Sequence, residues 1–232
     1  DLGLLQEYIT RRHNVDKVSP ATIRIEMKTL KMFFNTLIAH GYLETNPTKG
    51  LKGPSVETKA IRFLTESEIF DLLNVIDSPD FKDLILAYLN TGARKEELLP
   101  ARFSWDNINF DNRTISITGK RDKTRIIPMN KTLFEILQRR KNVENREMPF
   151  DFSYQNIYPK IQIYYDRVNI KGADVHTLRR TFGSLLVQKG VSIFTVSKLL
   201  GHSSVIITEN HYAALLESNL SEGVKKLENL FD

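Results

Sequence analysis

Five polar side chains spread through the second half of the sequence could do chemistry together: Arg94, Lys120, His176, Arg179 and Tyr212. A sixth, His202, stands ten residues before the tyrosine. Two guanidiniums, an ammonium and two imidazoles can surround one phosphate with positive charge and hydrogen-bond donors. A tyrosine hydroxyl beside them can attack it. Each residue alone also has a plainer reading. Arg94 follows Thr91-Gly92 and reads as an arginine near a helix start, with Glu97 one turn on, where its carboxylate could hold the guanidinium. Lys120 lies in Gly119-Lys120-Arg121-Asp122-Lys123-Thr124-Arg125, which reads as a charged hairpin tip; four cations in six residues also suit a nucleic-acid groove. His176 and Arg179 share one side of a helix start, and Leu178, Phe182, Leu185 and Leu186 form the other, apolar side. The helix N-terminus adds its own positive end toward an anion. His202 follows Leu199-Leu200-Gly201 at a helix–helix corner, and Tyr212 is one of eight tyrosines.

The elements that must position these residues are mainly α-helical with one small antiparallel sheet. Residues 1–52 read as helices. Leu5, Tyr8 and Ile9 mark the first, and Ser19-Pro20 starts a second, with Ile23, Met27, Leu30, Phe34, Leu37 and Ile38 at helical spacing. Gly41 stops it and Asn46-Pro47 marks a turn. About fifty residues with one long helix make a marginal core, so part of a helical domain is expected to be missing. The chain also begins at Asp1, without methionine and within a helical pattern, as a trimmed piece would. Residues 53–62 read as an inter-domain linker. The surrounding basic stretch carries Lys49, Lys52, Lys59 and Arg62, suiting either a solvated loop or a strap on nucleic acid. The second domain, 63–232, opens on a capping box, Thr65-Glu66-Ser67-Glu68, with helices to Ile76 and over 80–90. Three short strands are expected within 105–128: around Trp105, Ile108 and Phe110, then Thr114, Ile115 and Ile117, then Ile126 and Ile127. Helices follow over 131–140, 153–168, 176–189, 192–200, 204–214 and 218–231. The last is amphipathic through Leu220, Val224, Leu227 and Leu230 or Phe231.

Composition narrows the function classes. The formal charge of +5 permits a nucleic-acid partner without demanding one. The absence of cysteine removes disulfides, thiolate metal sites and cysteine nucleophiles, and fits a cytoplasmic protein. No apolar run approaches the ~20 residues of a membrane span, so no membrane partner is expected. No secretory signal is visible.

Taken together and in order, the motifs resemble those of the tyrosine recombinases, the phage integrase family. They are Thr91-Gly92-Ala93-Arg94-Lys95-Glu96-Glu97-Leu98, Gly119-Lys120, His176-Thr177-Leu178-Arg179, Leu199-Leu200-Gly201-His202 and His211-Tyr212. The likeness covers 63–232 and extends loosely to 1–52, which resembles the end of the family's core-binding domain. It implies that Arg94 and Arg179 clamp a scissile DNA phosphate, with Glu97 supporting Arg94. It implies that His202 donates to the phosphate, that Lys120 protonates the leaving 5′ oxygen from a β-hairpin, with Lys123 the competing assignment, and that His176 takes the tyrosine's proton. Tyr212 then forms a 3′-phosphotyrosine, and a partner strand's 5′ hydroxyl reverses the step without metal, ATP or other cofactor. One departure stands out: many members place the nucleophile nine residues after the histidine, and here His211 holds that place. The resemblance further implies double-stranded DNA as partner and a homotetramer on paired sites, monomeric when free, whose C-terminal helix docks on a neighbouring protomer. Lys49, Lys52, Lys59, Arg62, Arg121, Lys123 and Arg125 are the expected DNA contacts, and the nucleoid the expected location. The rival readings are a type IB topoisomerase, which would relax plasmid without a recombination site; a non-catalytic DNA-binding module, which would form no adduct; and a helical interaction protein, which would show no salt-dependent DNA binding.

Overall fold

The computed structural model describes residues 1–55, 61–119 and 122–216. The chain divides into two compact units, Asp1–Ala60 and Ile61–Asp232. In the first, α1 (Leu2–Asn14) begins at Asp1, whose carboxylate accepts from the Leu4 amide, and α2 (Pro20–Ala39) begins at Ser19, whose hydroxyl accepts from the Thr22 amide. Proline at the first position of α2 has no N–H to leave unpaired. Ile9 and Ile23 are the buried apolar residues of the two helices, and Arg12 bonds Glu26 at 2.6 Å.

Near the start of the second unit, Arg62 is fastened to α3 (Glu66–Val75) through Glu68 and donates to the Phe63 carbonyl. Thr65 and Glu68 form the expected capping box. Next comes α4 (Pro79–Thr91), then a run of turns, and then the three-stranded antiparallel sheet β1 (Ile108–Asn109), β2 (Thr114–Thr118) and β3 (Thr124–Pro128), in that spatial order. The first strand is shorter than its sequence suggests. Ser104 caps a 3-10 turn over Trp105–Asn107, Asn107 bonds back to the Ser104 amide, and the Trp105 indole donates to the Arg146 carbonyl. These local bonds satisfy the backbone that a strand would otherwise have paired.

Register decides which side chains of the hairpin face inward. Ile115 pairs with Ile127, and Ile117 with Arg125. Directly opposed residues share a sheet face. Ile115, Ile117 and Ile127 are buried, so Arg125 points to the core side, while Ile126 is exposed.

Four longer helices and one short one complete the described chain: α5 (Lys131–Asn142), α6 (Tyr154–Arg167), α7 (Val175–Gln188), α8 (Ile193–Leu200) and α9 (Val205–Leu216). The main core gathers α3 to α7 and the sheet around Phe81, Tyr88, Phe103, Phe150 and Tyr165. A second cluster joins Phe182 and Val187 of α7 to Val196 and Leu200 of α8 and Tyr212 of α9. The helix expected over 218–231 lies outside the described residues.

Candidate active site

Two glycine-ended helices create the backbone of the site. Gly92 closes α4 with φ +59, and a Cβ there would lie 2.4 Å from Phe182 Cδ1. Only glycine suits both the left-handed turn and that approach. Beyond it, residues 94–103 form successive turns rather than the helix expected around Glu97; the amides of Glu97, Leu99 and Arg102 each bond the carbonyl three residues back. The tight turn brings Glu97 back under Arg94. Its Oε2 accepts from the Arg94 amide and its Oε1 from Arg94 Nη1, both at 2.7 Å. Arg125, on the inner face of β3, donates from Nη2 to Oε2 at 2.7 Å and from Nη1 to Oε1 at 3.3 Å. Glu97 is 3% exposed. Burial alone would raise its pKa, but hydrogen bonds and charge from Arg125, together with bonds from Arg94, outweigh burial and hold it at about 2.

The second glycine-ended helix is α8. Its C-cap, Gly201, is left-handed, and the last carbonyls of a helix have no intrahelical donors. Arginines supply them. Arg125 Nε donates to the Leu199 carbonyl at 2.9 Å, Arg179 Nη2 to Leu200 at 2.6 Å, and Arg94 Nη2 to Gly201 at 3.1 Å. Arg179 also reaches the Gly92 carbonyl from Nη1 at 2.7 Å, so it bridges both helix ends. Cations are favoured there by the negative end of the helix dipole. Burial, with the charges of Arg94 and Arg125, lowers the Arg179 pKa to about 9, which still leaves it charged at neutral pH.

His202 follows directly, and its Nδ1 lies 2.6 Å from the hydroxyl of buried Thr208 on α9. Burial and the charge of Arg179 bring its pKa down to about 4. A neutral ring that accepts from Thr208 at Nδ1 carries its proton on Nε2, ready to donate. His176, in the first turn of α7, is likewise lowered to about 4 by burial and by Arg179 and Arg180, so it is neutral and able to accept a proton. Asp174 starts that helix, accepting from the Thr177 amide at 2.8 Å. An open cleft of about 340 Å³ is lined by Arg94, Glu97, Arg102, Gly119 and His176, among others.

Tyr212 is not among the cleft's lining residues. It is 2% exposed within the second apolar cluster, and its hydroxyl donates to the Arg180 carbonyl at 3.2 Å. Its hydroxyl packs on Gly183, where a Cβ would be 2.1 Å away. Burial pushes its pKa up to about 12, against the opposing charges of Arg179 and Arg180. The structure thus gathers Arg94, Arg179 and His202 about the end of α8, and holds the tyrosine beside α7.

The expected DNA contacts divide. Lys49 and Lys52 are exposed in the first unit, and Lys123 is exposed at the hairpin. Arg62 is spent on Glu68 and on the Phe63 and Lys171 carbonyls. Arg125 is 9% exposed and turned inward onto Glu97, so it is no surface cation. Lys59, Lys120 and Arg121 lie outside the described residues. Sequence reasoning missed Thr208, Gly183 and the inward role of Arg125. Only the last had a signal: Arg125 shares strand parity with Ile127. Among the described residues, no three His, Asp or Glu side chains stand where they could hold a metal, and no helix is long and apolar enough to cross a membrane.

Comparison with known proteins identifies the family and the fold. A model described as the phage integrase family matches residues 62–219. A tyrosine recombinase of Pseudothermotoga lettingae is 30% identical over 96% of this chain and 81% of its own. The Tn1549 transposon integrase, solved with transposon right end DNA, superposes with a TM-score of 0.78 at 20% identity, covering all of this chain and 86% of its own. A lambda integrase dimer bound to a COC′ core site gives 0.74 at 16% identity, over 90% of this chain and 63% of its own. Both solved structures share the fold. With the family match spanning Arg94, His176, Arg179, His202 and Tyr212, the chain belongs to the phage integrase family of tyrosine recombinases.

Proposed function

We propose that the protein exchanges DNA strands at specific sites through a phosphotyrosine intermediate, with Tyr212 the nucleophile. The observation that carries the residue assignment is the convergence of Arg94 and Arg179 on the adjacent carbonyls of Gly201 and Leu200, with His202 the next residue. Donors fixed to rigid backbone need no reorganisation as charge develops, and such preorganisation is where most electrostatic catalysis arises. In this assignment the Tyr212 oxygen bonds to phosphorus and the 5′ oxygen leaves. His176 takes the phenolic proton and Lys120 protonates the leaving oxygen. Arg94, Arg179 and His202 hold the nonbridging oxygens. The Tyr212 hydroxyl must first leave the Arg180 carbonyl.

The reading takes duplex DNA as the substrate; the transposon integrase was solved with transposon right end DNA and the lambda integrase bound to a COC′ core site. Lambda integrase is a dimer on its core site. For this chain we propose a homotetramer on paired sites, with residues 1–52 as part of a DNA-binding domain and Lys49, Lys52 and Lys123 as backbone contacts.

The test is a nicked site whose short strand diffuses away after cleavage and traps the adduct. Wild type should accumulate covalent complex, mapped by peptide sequencing to Tyr212. Tyr212→Phe should bind the same DNA and give none. An adduct on another tyrosine would refute the assignment.

A further inference from the structure

Three arginines serve three successive carbonyls at the end of α8, yet only two of them belong to the proposed clamp. The third, Arg125, is the most committed. All three guanidinium nitrogens bond protein: Nε to the Leu199 carbonyl, and Nη1 and Nη2 to the two oxygens of Glu97. Arg94 and Arg179 each use two nitrogens on protein and retain free N–H groups for a phosphate. Arg125 also packs beneath the α8 cap, where a Cβ on Gly201 would fall 2.9 Å from its Cδ. We propose that Arg125 is a positioning residue for phosphoryl transfer: it holds Glu97 and the end of α8 in the one arrangement that presents Arg94 to the scissile phosphate.

The physical case is one of shared partners. Arg94 has two protein anchors, Glu97 Oε1 and the Gly201 carbonyl. Arg125 grips the other side of both, through Glu97 Oε2 and the Leu199 carbonyl. A bidentate arginine–carboxylate pair fixes the carboxylate plane, which a lone Arg94 bond does not. The arrangement also joins β3 to the clamp, because Arg125 is the second residue of that strand. Without Arg125, Glu97 is free to turn fully onto Arg94, occupying guanidinium N–H groups meant for the phosphate. Lysine cannot replace it, having no planar fork.

The proposal rests on the phosphoryl-transfer reading, whose own test is the Tyr212 adduct. The experiment is single-turnover cleavage of the nicked site by the full chain, with half-site binding measured in parallel. Arg125→Ala and Arg125→Lys should each bind within about threefold of wild type and cleave about ten- to a hundredfold more slowly, on the scale of a misplaced oxyanion donor. The decisive readout is a double-mutant cycle with Arg94→Lys. If Arg125 acts through Arg94, adding Arg125→Lys to Arg94→Lys should slow cleavage by less than about threefold, because interacting residues are non-additive. Full additivity overturns the proposal. So does a variant that loses half-site affinity tenfold or more while bound complexes cleave normally, since Arg125 would then be a DNA contact. If Arg125→Ala does not fold, the lysine variant carries the cycle alone.

Discussion

Replacing Gly183 by alanine should release Tyr212, the proposed nucleophile. The new methyl would stand 2.1 Å from the Tyr212 oxygen and 2.5 Å from Cζ, distances no relaxed pair of atoms tolerates. The phenol ring's far end is the part free to move, so the side chain leaves its seat. What it gives up is one hydrogen bond to the Arg180 carbonyl, worth about 1 kcal/mol, and part of its apolar burial. Alanine returns about 1 kcal/mol inside helix α7, so the fold should melt within a few degrees of wild type. The gain lies in ionisation. The seated phenol has its pKa raised from 10.0 to about 12. Two units make the phenolate about 3 kcal/mol harder to form in place, a factor of about a hundred in phenolate fraction. Single-turnover adduct formation by Gly183→Ala should therefore exceed wild type by a few fold to about a hundredfold. The advantage should shrink above about pH 10, where the released phenol ionises unaided. The assay is covalent-complex yield against time on the nicked site, from about pH 6 to pH 11, with enzyme in excess. A well-folded Gly183→Ala protein that cleaves no faster at any pH would refute the reasoning, because the tyrosine would then react from the seat described here.

Two further outcomes are expected. His176 and His202 both have pKa values lowered from 6.5 to about 4, so the unfolded chain binds more protons across that interval and stability should fall as pH drops from about 6.5 to 4; urea midpoints should record it, and a His176→Gln, His202→Gln double variant should show a flatter profile. Lys120→Ala should cleave a 5′-bridging phosphorothiolate, whose sulfur leaves without a proton, far better relative to wild type than it cleaves normal DNA, and equal defects on both substrates would assign the general acid elsewhere.

How much of this could be read from residues alone depended on range. Caps and turns were legible because their physics is local: Ser19-Pro20 starts α2 and Thr65 with Glu68 closes a capping box, as their spacing dictates. The helices α4 and α8 that flank the proposed clamp were legible from apolar period, and Gly201 marked the corner after α8. Trp105 read as strand because an aromatic before Ile108 fits the pattern, and nothing local told that its indole would find the Arg146 carbonyl. Arg125 read as a surface cation because it stands among Lys120, Arg121 and Lys123. Parity with Ile127 was the one hint of its inward turn; pairing with Ile117 across the hairpin fixes it, and register is a property of two strands, not one. The seat of Tyr212 on Gly183 was beyond reach for the same reason: nothing in the sequence pairs positions 183 and 212, and only the packing of α9 on α7 does.

The charge of the assembled site has a bearing on which state it favours. Three guanidiniums, from Arg94, Arg125 and Arg179, meet one carboxylate, Glu97, whose low pKa keeps it ionised. The nearby His176 and His202 are neutral at physiological pH. These four side chains therefore carry a net two positive charges at the end of α8. A bound phosphodiester carries one negative charge and half-balances it. The pentacoordinate transition state carries two, and the proton that His176 takes in the proposed mechanism adds a further positive charge beside it. Such a site attracts DNA in the ground state yet meets the second unit of negative charge only as the bond forms, which is the differential stabilisation that accelerates chemistry rather than binding alone. By the same reasoning, loss of either proposed clamp arginine, Arg94 or Arg179, should slow cleavage far more than it weakens half-site affinity, since the second unit of negative charge is met only in the transition state.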